Sequence, residues 1–267
     1  VTGQHFLDLE VPRDQVVCFA LYTVHNKTLK MSAQLFPLFP KESREVRLEV
    51  DKGNGWEQIA TAKVNDLGWS ALFRVENWDD SKTVKYRVRH GEKAEFAGSI
   101  RKNPTDKEQI VIASMSCNSS RDRMGRENYV RNLLAADPDM LFFAGDQHYD
   151  HTEHTAGWIM FGVQFRETFR DRPVITIPDD HDVGQANLWG ENGKKADHPN
   201  GNTGGYFYDP DYVMQVERCQ TAHLPDPVDA KPIGQGIGVY FTTINVGGVD
   251  FAILEDRKFK SGPNGKI

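Results

Sequence analysis

Three short clusters hold most of the residues able to do acid–base or metal chemistry: Ser116-Cys117-Asn118-Ser119, Gly145-Asp146-Gln147-His148-Tyr149-Asp150 and Asp179-Asp180-His181-Asp182. Together they supply a thiol, several carboxylates, imidazoles and a phenol. Carboxylates held close together repel, and at least one takes up a proton unless a cation lies between them. Singly, each residue has an ordinary reading. Asp146 suits a helix cap or a turn, Cys117 a small buried hydrophobe, and His181 a satisfied loop imidazole. Three such clusters in succession are harder to assign to caps and turns, and one shared site for divalent or trivalent metal explains them all.

Each cluster follows an apolar run: Ile110-Val111-Ile112-Ala113-Ser114-Met115, Met140-Leu141-Phe142-Phe143-Ala144 and Pro173-Val174-Ile175-Thr176-Ile177. Such runs are expected of strands buried on both faces. Between them lie two helix-like segments. Arg126 to Ala136 carries Val130, Leu133 and Leu134 at helical spacing and is ended by Asp137-Pro138. In the second, Trp158, Phe161, Phe165 and Phe169 form a core-packing stripe. The β-α-β-α-β order predicts a parallel sheet with right-handed crossovers. Ligands bind outside the carboxyl ends of such strands, so the three clusters are expected to converge.

Downstream, the polar, glycine-rich stretch from Gly184 to Tyr212 far exceeds the usual loop of about 4–6 residues and reads as a binding loop or a disordered one. Val213 to His223 reads as a short helix. Val239 to Ile244 and Val249 to Leu254 read as a hairpin turned at Val246-Gly247-Gly248. His151 and His154 read as outer ligands or, by preference, as surface loop residues.

The front of the chain reads differently. Val16 to Tyr22, Met31 to Phe36, Val46 to Val50, Ser70 to Val75 and Val84 to Arg89 are β-prone runs, several alternating apolar with polar. Lys52-Gly53-Asn54-Gly55 and His90-Gly91-Glu92 supply turns. Residues 1–107 are therefore expected to form an all-β sandwich accessory domain, with Lys102 to Lys107 as linker, and 108–267 the α/β catalytic part.

Composition excludes several classes. The 267 residues are 39% hydrophobic and 26% charged, which rules out disorder and leaves room for two domains of about 100–150 residues. No stretch approaches the roughly 20 apolar residues of a membrane span. The net charge of -6, with scattered Lys and Arg, gives no duplex nucleic acid surface. The three cysteines cannot form a disulfide framework, and Cys18 and Cys219 read as buried hydrophobes. The opening Val1-Thr2-Gly3-Gln4 has neither initiator Met nor leader, which fits a mature extracellular or periplasmic chain and equally an arbitrary boundary.

Gly145-Asp146 with Tyr149, then Asp179-Asp180-His181-Asp182, then Leu254-Glu255-Asp256-Arg257-Lys258-Phe259-Lys260, resembles the PhoD-like alkaline phosphatases, a branch of the calcineurin-like metallophosphoesterases. The leading β domain and the Ser116-Cys117-Asn118 strand end are similar too. The resemblance implies a four-layer helix/sheet/sheet/helix fold, incomplete at the C-terminus here, with two or more metal ions at the strand ends. It implies Asp146 as the carboxylate bridging two metals, Cys117 as an iron-binding thiolate, Asp180 as a ligand, His181 as a positioned acid and Asn187 as an amide ligand. The branch's iron-binding tyrosinate has no counterpart from His151 to Gly205, which leaves Tyr149 for that role or for packing. Iron with calcium suits the donor set, with zinc and manganese open. The family's last ligands, acidic and histidine residues, would lie beyond position 267, so a partner chain or a further C-terminal segment is expected to complete the site.

The implied chemistry is phosphomonoester or phosphodiester hydrolysis. A metal-activated hydroxide attacks phosphorus, His181 protonates the leaving oxygen, and Asn118 and Arg257 bind phosphate oxygens. The stretch from Gly184 to Tyr212 would form a wall or lid. Two rival readings stand beside it. One is a secreted binding or adhesion protein with a structural calcium. The other is a hydrolase of a sulfate ester or lactone on the same centre.

Overall fold

The computed structural model describes residues 11–119, 126–258 and 260–262. The opening Val1-Thr2-Gly3-Gln4 and Phe259 of the last motif lie outside the described residues, as do parts of the spans 1–107 and 108–267. The protein is mostly sheet with few helices.

Seven strands occupy the front of the chain: β1 Val17–His25, β2 Thr28–Leu35, β3 Glu45–Asp51, β4 Trp56–Lys63, β5 Ser70–Val75, β6 Val84–His90 and β7 Ala94–Ile100. They form two antiparallel sheets, ordered β1-β2-β5 and β4-β3-β6-β7. β4 and β7 were not among the expected runs. β4 is a largely exposed edge strand, so it lacks an apolar signature. β7 carries Ala97-Gly98 where a strand normally shows branched residues, because a Cβ on Gly98 would lie 1.8 Å from the Arg170 carbonyl.

β1 is apolar almost throughout because both its faces are covered. Phe19 packs on Trp158 and Phe169, with ring centroids 5.7 and 5.8 Å apart. Tyr22 faces the opposite way, onto Tyr86, and its hydroxyl donates to the Ser99 carbonyl at 3.2 Å. The main apolar cluster therefore runs unbroken from the front sheets to the aromatic stripe further along the chain.

Beyond residue 107 come β8 Ile112–Met115, α1 Glu127–Ala136, β9 Met140–Phe143, α2 His154–Phe169 and β10 Val174–Thr176. The three strands are parallel, in the order β10-β9-β8. Alternate residues of β9 serve different layers. Leu141 and Phe143 join the main cluster, where Phe143 meets Phe161, Phe165 and Phe169 of α2 edge-on at 4.9–5.9 Å. Met140 and Phe142 face a second cluster built with Ile244, Val246 and Ile253. These belong to the hairpin β11 Phe241–Val246 and β12 Val249–Leu254, whose register pairs Val246 with Val249. Among the described residues this hairpin is all there is of a second sheet behind the parallel one.

α1 ends where Asp137 turns left-handed (φ 44°) ahead of Pro138. The third helix, α3, spans Pro210–Thr221, beginning earlier than the expected Val213. Asp209 caps it by accepting from Asp211 N, and Pro210 takes the first helical position, where its missing N–H costs nothing. The stretch before α3 folds on itself through Gly205 N to Trp189 O (2.7 Å), Tyr206 N to Lys194 O (2.7 Å) and Ala196 N to Tyr206 O (2.9 Å). It also binds the end of the hairpin through Gly190 N to Arg257 O at 2.9 Å. No helix among the described residues is long and apolar enough to cross a membrane.

The close approach at Gly98 gives a direct check. Gly98→Ala is expected to cost about 1–3 kcal/mol in denaturant unfolding, the usual penalty of overpacking. Gly238→Ala, where an added methyl meets nothing within 4 Å, is expected to change stability by less than about 0.5 kcal/mol.

Candidate metal centre

With β9 in the middle, the loops after all three parallel strands meet. Ala144 N donates to Met115 O at 2.8 Å, Asn118 N to Asp146 O at 2.8 Å and Ile177 N to Phe143 O at 3.2 Å. The crowding forces unusual backbone. Cys117 (φ 59°), Gly145 (φ 92°) and Asp146 (φ 57°) all turn left-handed, a conformation that costs a non-glycine residue about 1–3 kcal/mol. Gly145 is obligatory, since a Cβ there would lie 2.4 Å from Asp179 Cβ. Strain concentrated on two ligand-type residues, Cys117 and Asp146, points to a function at this turn.

Asp146, Asp180 and His181 offer ligand atoms all within 4.8 Å of one another. Cys117 stands outside that trio and reaches it through Asp146, its Sγ donating to Asp146 Oδ2 at 3.5 Å. The Tyr149 hydroxyl donates to the same oxygen at 3.0 Å, and its ring lies 4.0 Å from that of His181. Asn187 is exposed; its backbone N–H, not its amide, is what the structure brings to Asp180, donating to Oδ2. Arg257 points at the carboxylates: Nε is 2.6 Å from Asp179 Oδ1 and Nη2 is 3.9 Å from Asp180 Oδ1, while Nη1 donates to Leu188 O. The Asn118 amide donates to Gln147 O (3.1 Å) and Gln164 Oε1 (3.0 Å) and accepts from Arg126 Nε (2.8 Å).

Of the two outer histidines, His151 lies in a turn, whereas His154 is not a surface loop residue. His154 opens α2 and is buried, because the helix start turns inward beneath the site. His151 is half-buried, with Nε2 2.6 Å from His181 Nδ1. Cys18 and Cys219 are buried hydrophobes, and burial pushes both thiols up to about 12.

Asp182 was not singled out in the sequence, yet it is fully buried and accepts three backbone N–H groups: Asp146 at 2.7 Å, Gln147 at 3.0 Å and Asp179 at 2.9 Å. Only the register of the strand ends reveals those partners. It lies within the third cluster, but nothing in the sequence distinguishes it from Asp179.

Burial disfavours the charged form of several groups at the site. Burial, then the neighbouring Asp180, raises the Asp146 carboxyl above its ordinary value. Burial likewise raises Asp179, and pushes Asp182 up to about 7. Burial lowers His151. A cation among Asp146, Asp180 and His181 would relieve the burial and repulsion together, and the mix of hard oxygens, imidazole and thiol fits a transition metal beside an oxygen-preferring ion. Next to Cys117 and Asp146 opens a cleft of about 500 Å³, lined among others by Met115, Arg126, Tyr129 and Phe165.

No family model matches the chain, and no curated protein matches it. Solved structures do. One, of PhoD, superposes with a TM-score of 0.69 at 15% identity, covering 94% of this chain and 54% of that one. The chain has a PhoD-like fold. A purple acid phosphatase, PPD1 from seeds of yellow lupin (Lupinus luteus), superposes with a TM-score of 0.61 at 13% identity, covering 90% of this chain and 45% of that one. The chain thus spans about half the length of these two structures.

A carboxyl held protonated in the fold makes stability fall as pH rises. Between an ordinary carboxyl near 3.8 and the folded value near 7, native Asp182 keeps a proton that the unfolded chain has lost. In metal-free protein the stability of the native chain relative to Asp182→Asn is expected to drop by on the order of 1 kcal/mol per unit between pH 5 and 7. Denaturant unfolding of both chains at the two pH values checks it; a difference independent of pH contradicts it.

Proposed function

We propose that the chain carries the core of a metal-dependent phosphoester hydrolase acting on phosphomonoesters or phosphodiesters. One observation carries this reading: Asp146, Asp180 and His181 are gathered at the ends of adjacent parallel strands within a PhoD-like fold. The phosphatase titles of the neighbouring structures support it.

Asp146 and Asp180 would hold two or more ions, with Asp146 between them and Cys117 and Tyr149 on the side of Asp146 Oδ2. Iron beside calcium suits these donors, and zinc or manganese is compatible with them. Such ions, when bound, neutralise phosphate oxygens and lower the pKa of water. Asn187 would join them by turning its exposed amide.

His181 is the proposed acid. Its Nδ1 is engaged by His151, so Nε2 is the atom left to hold a proton against the leaving oxygen. That proton transfer is worth typically 10²–10⁴-fold. Asn118 and Arg257 are the proposed donors to phosphate oxygens, each exchanging a present protein partner to serve. The cleft beside Cys117 would receive the alcohol portion of the ester, and the stretch from Gly184 to Tyr212 would wall the other side. Given the span of the neighbouring structures, the full ligand set is proposed to include residues from a partner chain or further sequence.

Asp146→Asn in the complete protein tests this. Hydrolysis of 4-nitrophenyl phosphate and its bis ester should fall by more than the roughly 10–100-fold typical of an outer-shell change, with far-UV dichroism unaltered. Unchanged turnover removes the proposal.

A further inference from the structure

Three N–H groups from two different loops converge on one buried side chain. Asp146 and Gln147 follow β9, Asp179 follows β10, and all three donate to the carboxylate of Asp182. The arrangement is asymmetric. Oδ2 accepts from both Asp146 and Asp179, while Oδ1 accepts from Gln147. A carboxyl group presents two oxygens, one of which meets two of the donors while the other meets the third, an arrangement that the single oxygen of an amide or a hydroxyl cannot reproduce.

The position of this link matters for the ligands. Asp146 sits in the left-handed region, where its backbone persists only if its surroundings over-determine it. Its N–H is fixed by Asp182, and its carbonyl accepts from Asn118 N. Asp180 follows directly on Asp179, whose N–H meets the same Oδ2. One oxygen atom therefore sets the distance between the backbones that carry both candidate ligands.

We infer that Asp182 is a positioning residue that fixes the spacing of Asp146 and Asp180 for metal binding. This rests on the reading of those two residues as metal ligands. A purely structural role would predict loss of stability without a specific loss of metal affinity, and the fold supplies a matched control. Asp139 is also a buried carboxylate that accepts a backbone N–H, from Val111 at 2.9 Å, with Lys107 Nζ at 2.5 Å. It joins β8 and β9 at their starts, the end of the sheet away from the clusters.

Binding of manganese(II) to the complete protein, followed by its paramagnetic resonance signal, separates the possibilities. Asp182→Asn is isosteric but turns an amide NH₂ or leaves one acceptor toward three donors. It is expected to weaken manganese(II) binding by about 10–100-fold and to lower kcat with KM nearly unchanged. Asp139→Asn is expected to lose comparable stability while keeping native manganese(II) affinity. Native affinity in Asp182→Asn overturns the inference, and so does an equal loss of affinity in Asp139→Asn. If Asp146→Asn also binds manganese(II) like the native chain, the underlying metal reading fails instead. A measurement that needs no variant guards against misfolding: hydrogen exchange should show the Asp146, Gln147 and Asp179 amides strongly protected, and exchange at the rate of exposed loops overturns the inference.

Discussion

Two carboxylates, Asp146 and Asp180, are buried beside each other at the ends of neighbouring strands, and their mutual repulsion is what the surrounding structure must answer. Isolated charges of this kind are costly away from water unless hydrogen-bonded or paired. The protein answers partly with donors. Asp146 receives the Tyr149 hydroxyl and the His181 N–H, and Asp180 receives the Asn187 N–H. Arg257 stands at the rim, closer to Asp179 than to Asp180. Asp146, Asp180 and His181 still offer ligand atoms within 4.8 Å of one another, an arrangement that a cation would balance.

The middle strand, β9, carries much of what steadies this group. Its Phe143 is clasped edge-on by three phenylalanines of α2, and its opposite face is covered by the hairpin. Each aromatic pair adds about 0.5–1.5 kcal/mol beyond its buried area, so the strand is a firm base for a strained turn. α2 in turn leans on Phe19 of β1, where a Cβ on Gly162 would collide with the ring. The front sheets thus reach the site by contact through the helix, although none of their residues belongs to it.

The convergence of the three clusters was legible because the physical signals were local. Short apolar runs marked strands buried on both faces, and the alternation with helical segments made the sheet parallel. The cores of α1 and α2 and the existence of the hairpin were legible for similar reasons of period and turn residues, although its first strand runs Phe241–Val246 rather than Val239–Ile244. What could not be read depended on contacts made across the chain. β4 is exposed, and β7 gives up side chains to admit the Arg170 carbonyl. His154 owes its burial to the direction in which α2 starts, and Asp182 owes its role to amides 36 and 35 positions away. The same limit applies to Asn118 and Arg257, whose present partners arise only in the folded chain.

The central claim is that Asp146, Asp180 and Cys117 share bound cations. Anomalous diffraction from crystals of the complete protein grown with manganese(II) tests it most directly. Anomalous peaks are expected at about 2.0–2.6 Å from carboxylate oxygens of both Asp146 and Asp180, with one of those ions within bonding reach of the Cys117 sulfur. Manganese found only at other sites, or bound to one carboxylate with the second turned away, would contradict it.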